Sequence, residues 1–229
     1  PRRLKQTFEA EVADRTPRDS FYHCLKNSAH QFHNKQEEDH YILAGYPWFK
    51  CRARDMFVSL PGLTLAVDEI GEFEDVMETA RKAINNYIKG EPIGCKIYEM
   101  DDPDVLLWAV WALQQYAKET SREQCRAKYG SLLEEIIDFI RQRKHDNLFL
   151  HENGLLYANG ADRAITWMNS TVNGRPVIPR TGYIVEINAL WYNALRFIAD
   201  LVREGGNGLL ADSCLLYTSP SPRDRQKSR

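Results

Sequence analysis

Asp102-Pro103-Asp104-Val105-Leu106-Leu107-Trp108-Ala109-Val110-Trp111-Ala112-Leu113 decides the fold. The Asp102-Pro103 pair suits the opening of a helix, where proline's missing N–H costs nothing. Beyond it, Val105, Leu106, Leu107, Trp108, Val110, Trp111 and Leu113 leave almost no polar side, and a helix apolar nearly all round must be surrounded by other elements. This is an inner helix. Upstream, Glu72 to Lys89 has the opposite character. Phe73, Val76, Met77, Ala80, Ile84, Tyr87 and Ile88 form one stripe, charges fill the other side, and Gly90 is placed to end it. This is an outer helix. Downstream, Thr120 with Glu123, or Ser121 with Gln124, makes a capping box before a helix that buries Leu132, Leu133, Ile136, Ile137 and Ile140. Inner and outer helices therefore alternate. With no strand-like stretches between them, the chain reads as all-α, built of helical hairpins packed side by side. A solenoid would need a fixed-period self-similarity that is not present.

Towards the amino terminus, Asp19 or Ser20 caps a helix carrying Phe21, Cys24, Leu25, Ala29 and Phe32. His23, His30 and His33 fall on it, but no carboxylate or cysteine shares their spacing in a ligand motif. A solvated or interface face is the preferred reading, and no metal is assigned. Pro47 makes Tyr46-Pro47-Trp48 a loop, and Met56 to Val67 reads as a buried helix broken at Pro61-Gly62. Arg54 and Asp55 stand where loop passes into helix. They are either a structural ion pair or a pair holding adjacent hydroxyls with opposite hydrogen-bond sense. The segment Asn147 to Tyr183 is a long, Gly-, Asn- and Pro-rich loop with a small hairpin turn at Gly174-Arg175-Pro176, and such loops in compact domains tend to be functional. From Asn188 the chain returns to helix, with Leu190, Trp191, Ala194, Leu195, Ile198, Leu201 and Val202 inward and Gly205-Gly206 after its end.

Formal net charge is −2 over 229 residues, with acids and bases interspersed. There is no broad basic field to draw nucleic acid or an anionic membrane, whereas a neutral polysaccharide suits this balance. The longest apolar run, Val105 to Leu113, is far below the roughly 20 residues that a bilayer requires. Cys24, Cys51, Cys95 and Cys125 are scattered without a zinc or redox spacing, which fits a reduced, cytoplasmic compartment.

The densest chemistry lies between Ile165 and Leu195, where tryptophans, amides and one carboxylate share about thirty residues. Five blocks resemble the amylo-α-1,6-glucosidase domain of bacterial-type glycogen debranching enzymes. They are Ala44-Gly45-Tyr46-Pro47-Trp48-Phe49 leading to Arg54-Asp55; Ser59-Leu60-Pro61-Gly62-Leu63; Gly154-Leu155-Leu156-Tyr157; Thr166-Trp167-Met168; and Pro179-Arg180-Thr181-Gly182 running into Val185-Glu186. The likeness runs from about Thr16 to about Gly206. It implies an (α/α)6 toroid, incomplete here, over 18–213. Residues 1–17 would then be an approach segment from a missing amino-terminal domain. Segment 214–229 is similar to a translated sequencing adapter and is set aside as foreign, so that the natural chain is expected to continue after about Ser213.

The resemblance further implies inverting hydrolysis of α-1,6-glucosidic branch linkages in glycogen or limit dextrin, with no metal or organic cofactor. Its sugar contacts would be Trp48, Arg54, Asp55, Trp167 and Trp191. Two departures stand out. Arg52-Ala53 replaces a Trp-Gly pair, and Asn169 replaces the aspartate that serves the family as general acid, a role an amide cannot fill. Glu186, near the start of a helix, is the best remaining carboxylate for the catalytic or substrate site, and Asn169 retains an amide able to bind a sugar hydroxyl. Glu152 and Asp162 are lesser candidates for the acid, and the base is expected beyond the truncated end. Trp108 and Trp111 read first as core and second as sugar-facing. A non-catalytic α-glucan-binding relative and a helical protein-binding scaffold are the competing readings. The central expectation is that Trp167, Arg54 and Glu186 surround a single glucose.

Overall fold

In the computed structural model, residues 17–46 and 48–205 are described. Residues 1–16, Pro47 and residues 206–229, and with them most of the expected approach segment and all of the adapter-like tail, lie outside them. Among the described residues the fold is mainly α. There are six helices: α1 (Phe21–His30), α2 (Ala53–Leu63), α3 (Ile70–Lys89), α4 (Val105–Glu119), α5 (Arg122–Arg141) and α6 (Val185–Glu204). None of them is long and apolar enough to cross a membrane.

Helix α4 is the inner helix, as its all-round apolar pattern requires. It packs against α2, α5 and α6 and buries Val105, Leu106, Leu107, Ala109, Val110, Leu113 and Tyr116. Truncating one of these leucines to alanine would cost about 2–5 kcal/mol through lost burial and the cavity left behind. Helix α3 is the outer one, burying Phe73, Val76, Met77, Ala80 and Ile84 and ending on Gly90 at φ 72°. A left-handed C-cap of this kind has no Cβ penalty at glycine. Phe73 stacks on Tyr116, whose ring meets Tyr129 edge-on, so one aromatic row ties α3, α4 and α5 together. Ser121 caps α5 by accepting from the Gln124 N–H at 3.0 Å, which decides between the two capping boxes.

The sequence expectations need four corrections. First, eight short strands in four two-stranded sheets occupy the connections, among them the parallel pair β3 (Cys51–Arg52) and β4 (Ile97–Tyr98). In β1 (His33–Gln36) and β2 (Asp39–Ile42), charged and amide residues mask the strand pattern. Second, α1 ends at His30, so Phe32 and His33 leave the helix. His33 pairs with Ile42 across the hairpin, and its Nε2 lies 3.2 Å from the Leu63 carbonyl. Phe21 and Leu25 lie exposed on α1. Third, α2 runs through Pro61 and stops at Thr64, whose N–H and hydroxyl both donate to the Leu60 carbonyl. Pro61 withholds only one bond, to the carbonyl four residues back, near the helix end where carbonyls are already losing partners. Fourth, α6 begins at Val185, three residues before Asn188.

The loop from Asn147 to Tyr183 is ordered by two hairpins. One joins β5 (Leu148–Leu150) to β6 (Leu156–Ala158), and the other joins β7 (Thr171–Val172) to β8 (Arg175–Pro176). Asn173 and Gly174 both take positive φ in the second turn, the conformation that two-residue hairpins favour. Gly160 fastens the two ends of the loop. A Cβ there would stand 2.7 Å from the Arg180 carbonyl and 2.9 Å from the Ile165 side chain, so only glycine lets these segments close.

Candidate functional site

A cavity of about 540 Å³ opens where the start of α2, the start of α4, the 165–168 segment and the first turn of α6 meet. Arg54, Asp55, Asp104, Trp108, Trp167 and Glu186 supply its polar and indole groups, and Phe32, Leu43, Val58 and Leu63 its apolar wall. Its size lies within the range of small-molecule clefts. Arg54, Trp167 and Glu186, expected around one glucose, do share this hollow, and Asp55 joins them.

On one wall, the buried Arg54 donates through Nε to Asp104 at 2.8 Å. Its Nη2 donates to Asp104 at 2.9 Å, to Asp102 at 2.7 Å and to the Ile165 carbonyl at 3.1 Å. Asp104 also accepts from the Trp108 indole at 3.2 Å. Burial would lower the affinity of Arg54 for its proton, but the carboxylates of Asp104 and Asp102 more than reverse this and hold it well above the ordinary arginine value. Asp102 behaves differently. Burial pushes its carboxyl up to about 7, because the opposing pull of Arg54 is divided between two acids and Asp104 adds its own repulsion. Arg163 braces the rear of the cluster at Asp101 and Asp102.

On the facing wall, Glu186 accepts from the Trp167 indole at 3.2 Å and is ion-paired with Arg180. Arg180 also approaches the Met168 sulfur at 2.9 Å. Position 186 lies in the first turn of α6, where unpaired N–H groups and the helix dipole favour negative charge. Arg180 is delivered by the bridge between Ala158 and Gly182 and by the close approach at Gly160.

The remaining expected contacts fall elsewhere. Trp191 is 2% exposed and donates to the Gly154 carbonyl at 3.1 Å. It is a core residue, correcting its assignment as a stacking face, because its turn of α6 packs inward. Trp48 is 81% exposed and does not line the cavity. Asn169 lines a smaller adjoining pocket, with Trp167 as the shared wall. Glu152 and Asp162 are exposed and line neither space. Sequence reasoning missed Asp104 and Arg180. The Asp-Pro-Asp run was visible, but only as a helix opener. Among the described residues, no three His, Cys, Asp or Glu side chains converge so as to hold a metal ion.

Indoles, guanidinium groups and carboxylates thus face one another across a partly apolar cavity on a mainly α scaffold. The chain belongs to the amylo-alpha-1,6-glucosidase family, a glycoside-hydrolase-like family whose model matches residues 26–208. No curated protein and no solved structure matches it.

Proposed function

We propose that the cavity seats one glucose unit of an α-glucan such as glycogen or limit dextrin, and that the protein hydrolyses α-1,6-linked branch glucose in the cytoplasm without a cofactor. The six helices would then be part of a ring of six helical hairpins. The observation carrying this reading is the convergence of Arg54, Asp55, Trp167 and Glu186 on one hollow in a chain of this family. Trp167 offers a flat apolar face for a sugar ring. Asp55 and Glu186 accept from hydroxyls, and Arg180 fixes Glu186 in place.

Hydrolysis with inversion needs a proton donor at the leaving oxygen and a base for water, roughly 6.5–9.5 Å apart. Asn169 cannot be that donor, so the catalytic assignment at 169 is to the position and not to the amide. This observation also favours a second reading, in which the protein binds α-glucan without cutting it. Incubation with limit dextrin, followed by glucose assay and NMR of the released anomer, separates them. Release of β-glucose supports inverting hydrolysis, and Asn169→Asp should raise the rate by about 10²–10⁴ where the missing acid is the whole defect. Binding with no release in either form supports the second reading. Absence of binding rejects both.

A further inference from the structure

The β1–β2 hairpin carries two histidines, His33 and His40, on the face it turns to α3, and the cavity chemistry uses neither. Nδ1 of His33 stands 3.5 Å from Glu72, and Nδ1 of His40 stands 3.9 Å from Glu72 and 3.6 Å from Asp75. We propose that the two rings are a proton-operated clasp: on taking up a proton they pin the hairpin to Glu72 and Asp75 of α3, and with it the apolar wall of the cavity. The effect on sugar affinity rests on the proposed glucose site, whereas the clasp itself does not.

Hydrogen-bond roles at His33 carry the argument. Its Nε2 lies 3.2 Å from the Leu63 carbonyl, which can only accept, so the proton of the neutral ring sits on Nε2 and Nδ1 turns a lone pair to the Glu72 carboxylate. Two acceptors then face each other. Only the imidazolium, with a proton on each nitrogen, satisfies the carbonyl and the carboxylate together. His40 is fixed through its backbone, whose N–H donates to the Thr79 hydroxyl at 2.9 Å, and its ring stands before two carboxylates. The His33 and His40 side chains are 17% and 15% exposed, so water screens these contacts only in part. The balance of charge around the rings is negative. Glu69, Glu72 and Asp75 face them from α3 and its cap, while α1 offers Lys26, already ion-paired to Glu69 at 2.9 Å, and His30, 3.5 Å from Glu69 and 6.1 Å from His33 between ring centres. Asp39, beside His40, is engaged by Tyr41 and Lys82. The open end of the hairpin is itself cavity wall: Leu43 donates its N–H to the Phe32 carbonyl at 2.9 Å, and both residues line the cavity with Leu63, whose carbonyl meets His33.

The test is amide hydrogen exchange on the full chain at about pH 5.5 and about pH 7.5, either side of histidine protonation, corrected for the intrinsic pH dependence of exchange, with limit dextrin titrated at both. The His40 amide reports docking, because its bond to Thr79 crosses from the hairpin to α3. Its protection is expected to be about 3–10-fold greater at the lower pH, the scale of one or two partly exposed ion pairs, and dextrin affinity should rise by a similar factor. Glu72→Gln/Asp75→Asn, altered at exposed carboxylates, should lose both rises. His33→Gln/His40→Gln, which keeps amide donors but takes no charge, should lose them too. Equal protection at the two pH values in the native protein, or a rise that survives in both variants, would overturn the clasp. Greater protection with unchanged dextrin affinity would overturn its coupling to the cavity wall. Dextrin that binds at neither pH would sink the glucose site, while the exchange result still decides the clasp.

Discussion

The cavity is flanked by two triads of the same composition: Trp108, Asp104 and Arg54 on one wall, Trp167, Glu186 and Arg180 on the other. In each, an indole N–H and a guanidinium converge on one carboxylate. They differ in solvent. The Asp104 side chain is 3% exposed and that of Glu186 is 39%. A buried guanidinium–carboxylate cluster cannot exchange partners without stranding a charge, so under the proposed function the Arg54 triad would shape the cavity as scaffold and Arg54 would not be the direct sugar contact expected from the sequence. A half-exposed cluster can trade a hydrogen bond for a sugar hydroxyl at little cost, so under the proposed function the Trp167 triad is the wall that would meet ligand.

This contrast is broken most severely at Arg54. Arg54→Met leaves Asp102 and Asp104 buried without their partner and should destabilise the protein by about 3–5 kcal/mol in urea unfolding. Arg180→Ala on the opposite wall should cost less than about 1 kcal/mol of stability and act mainly on sugar affinity. If the two losses were equal, the distinction between scaffold and binding wall would fall.

The next largest effect is in pH dependence. Asp102 has its folded pKa raised to about 7, above an ordinary aspartate value near 3.9, so the folded state holds its proton more strongly. Its contribution to stability falls as pH rises from about 4 to 7. His145, buried between Tyr87 and Phe139, has its pKa lowered to about 4, chiefly by burial. Its contribution rises with pH from about 4 to 6.5, since there the unfolded state binds the extra proton. The two slopes oppose each other across this window. Asp102→Asn should unmask a stability that rises with pH, by up to about 1.4 kcal/mol per unit, in urea midpoints measured from pH 4 to 7. A profile unchanged from the native one would contradict the assignment.

A smaller effect is expected at Gly160. Gly160→Ala forces the Arg180 carbonyl or the Ile165 side chain to move, at a cost of about 1–3 kcal/mol. The displaced backbone carries Arg180, so sugar affinity should fall together with stability. A stability loss with intact affinity would show that Arg180 does not position Glu186.

Periodicity made the scaffold legible. The all-round apolar pattern of 105–113 and the stripe of 72–89 placed the inner and outer helices. The hairpins at 33–42 and 148–158 were hidden, because they are only three or four residues long and no alternation can establish itself over so few positions. At the site, ordered short blocks pointed to Arg54, Asp55, Trp167 and Glu186, which converge. Trp191 was misread because a tryptophan on an amphipathic helix looks alike whether its face turns to core or cavity, and only the rotation of α6 decides. Asp104 was overlooked because its role depends on Arg54, fifty residues away.

Calorimetric titration of limit dextrin into the Trp167→Ala and Trp48→Ala proteins tests the assignment of the cavity most directly, since both indoles are exposed and neither substitution should disturb the core. Loss of at least tenfold in affinity, about 1.4 kcal/mol, with Trp167→Ala alone is the expected result. Undiminished affinity in that variant, or a loss confined to Trp48→Ala, would place the glucan elsewhere on the molecule.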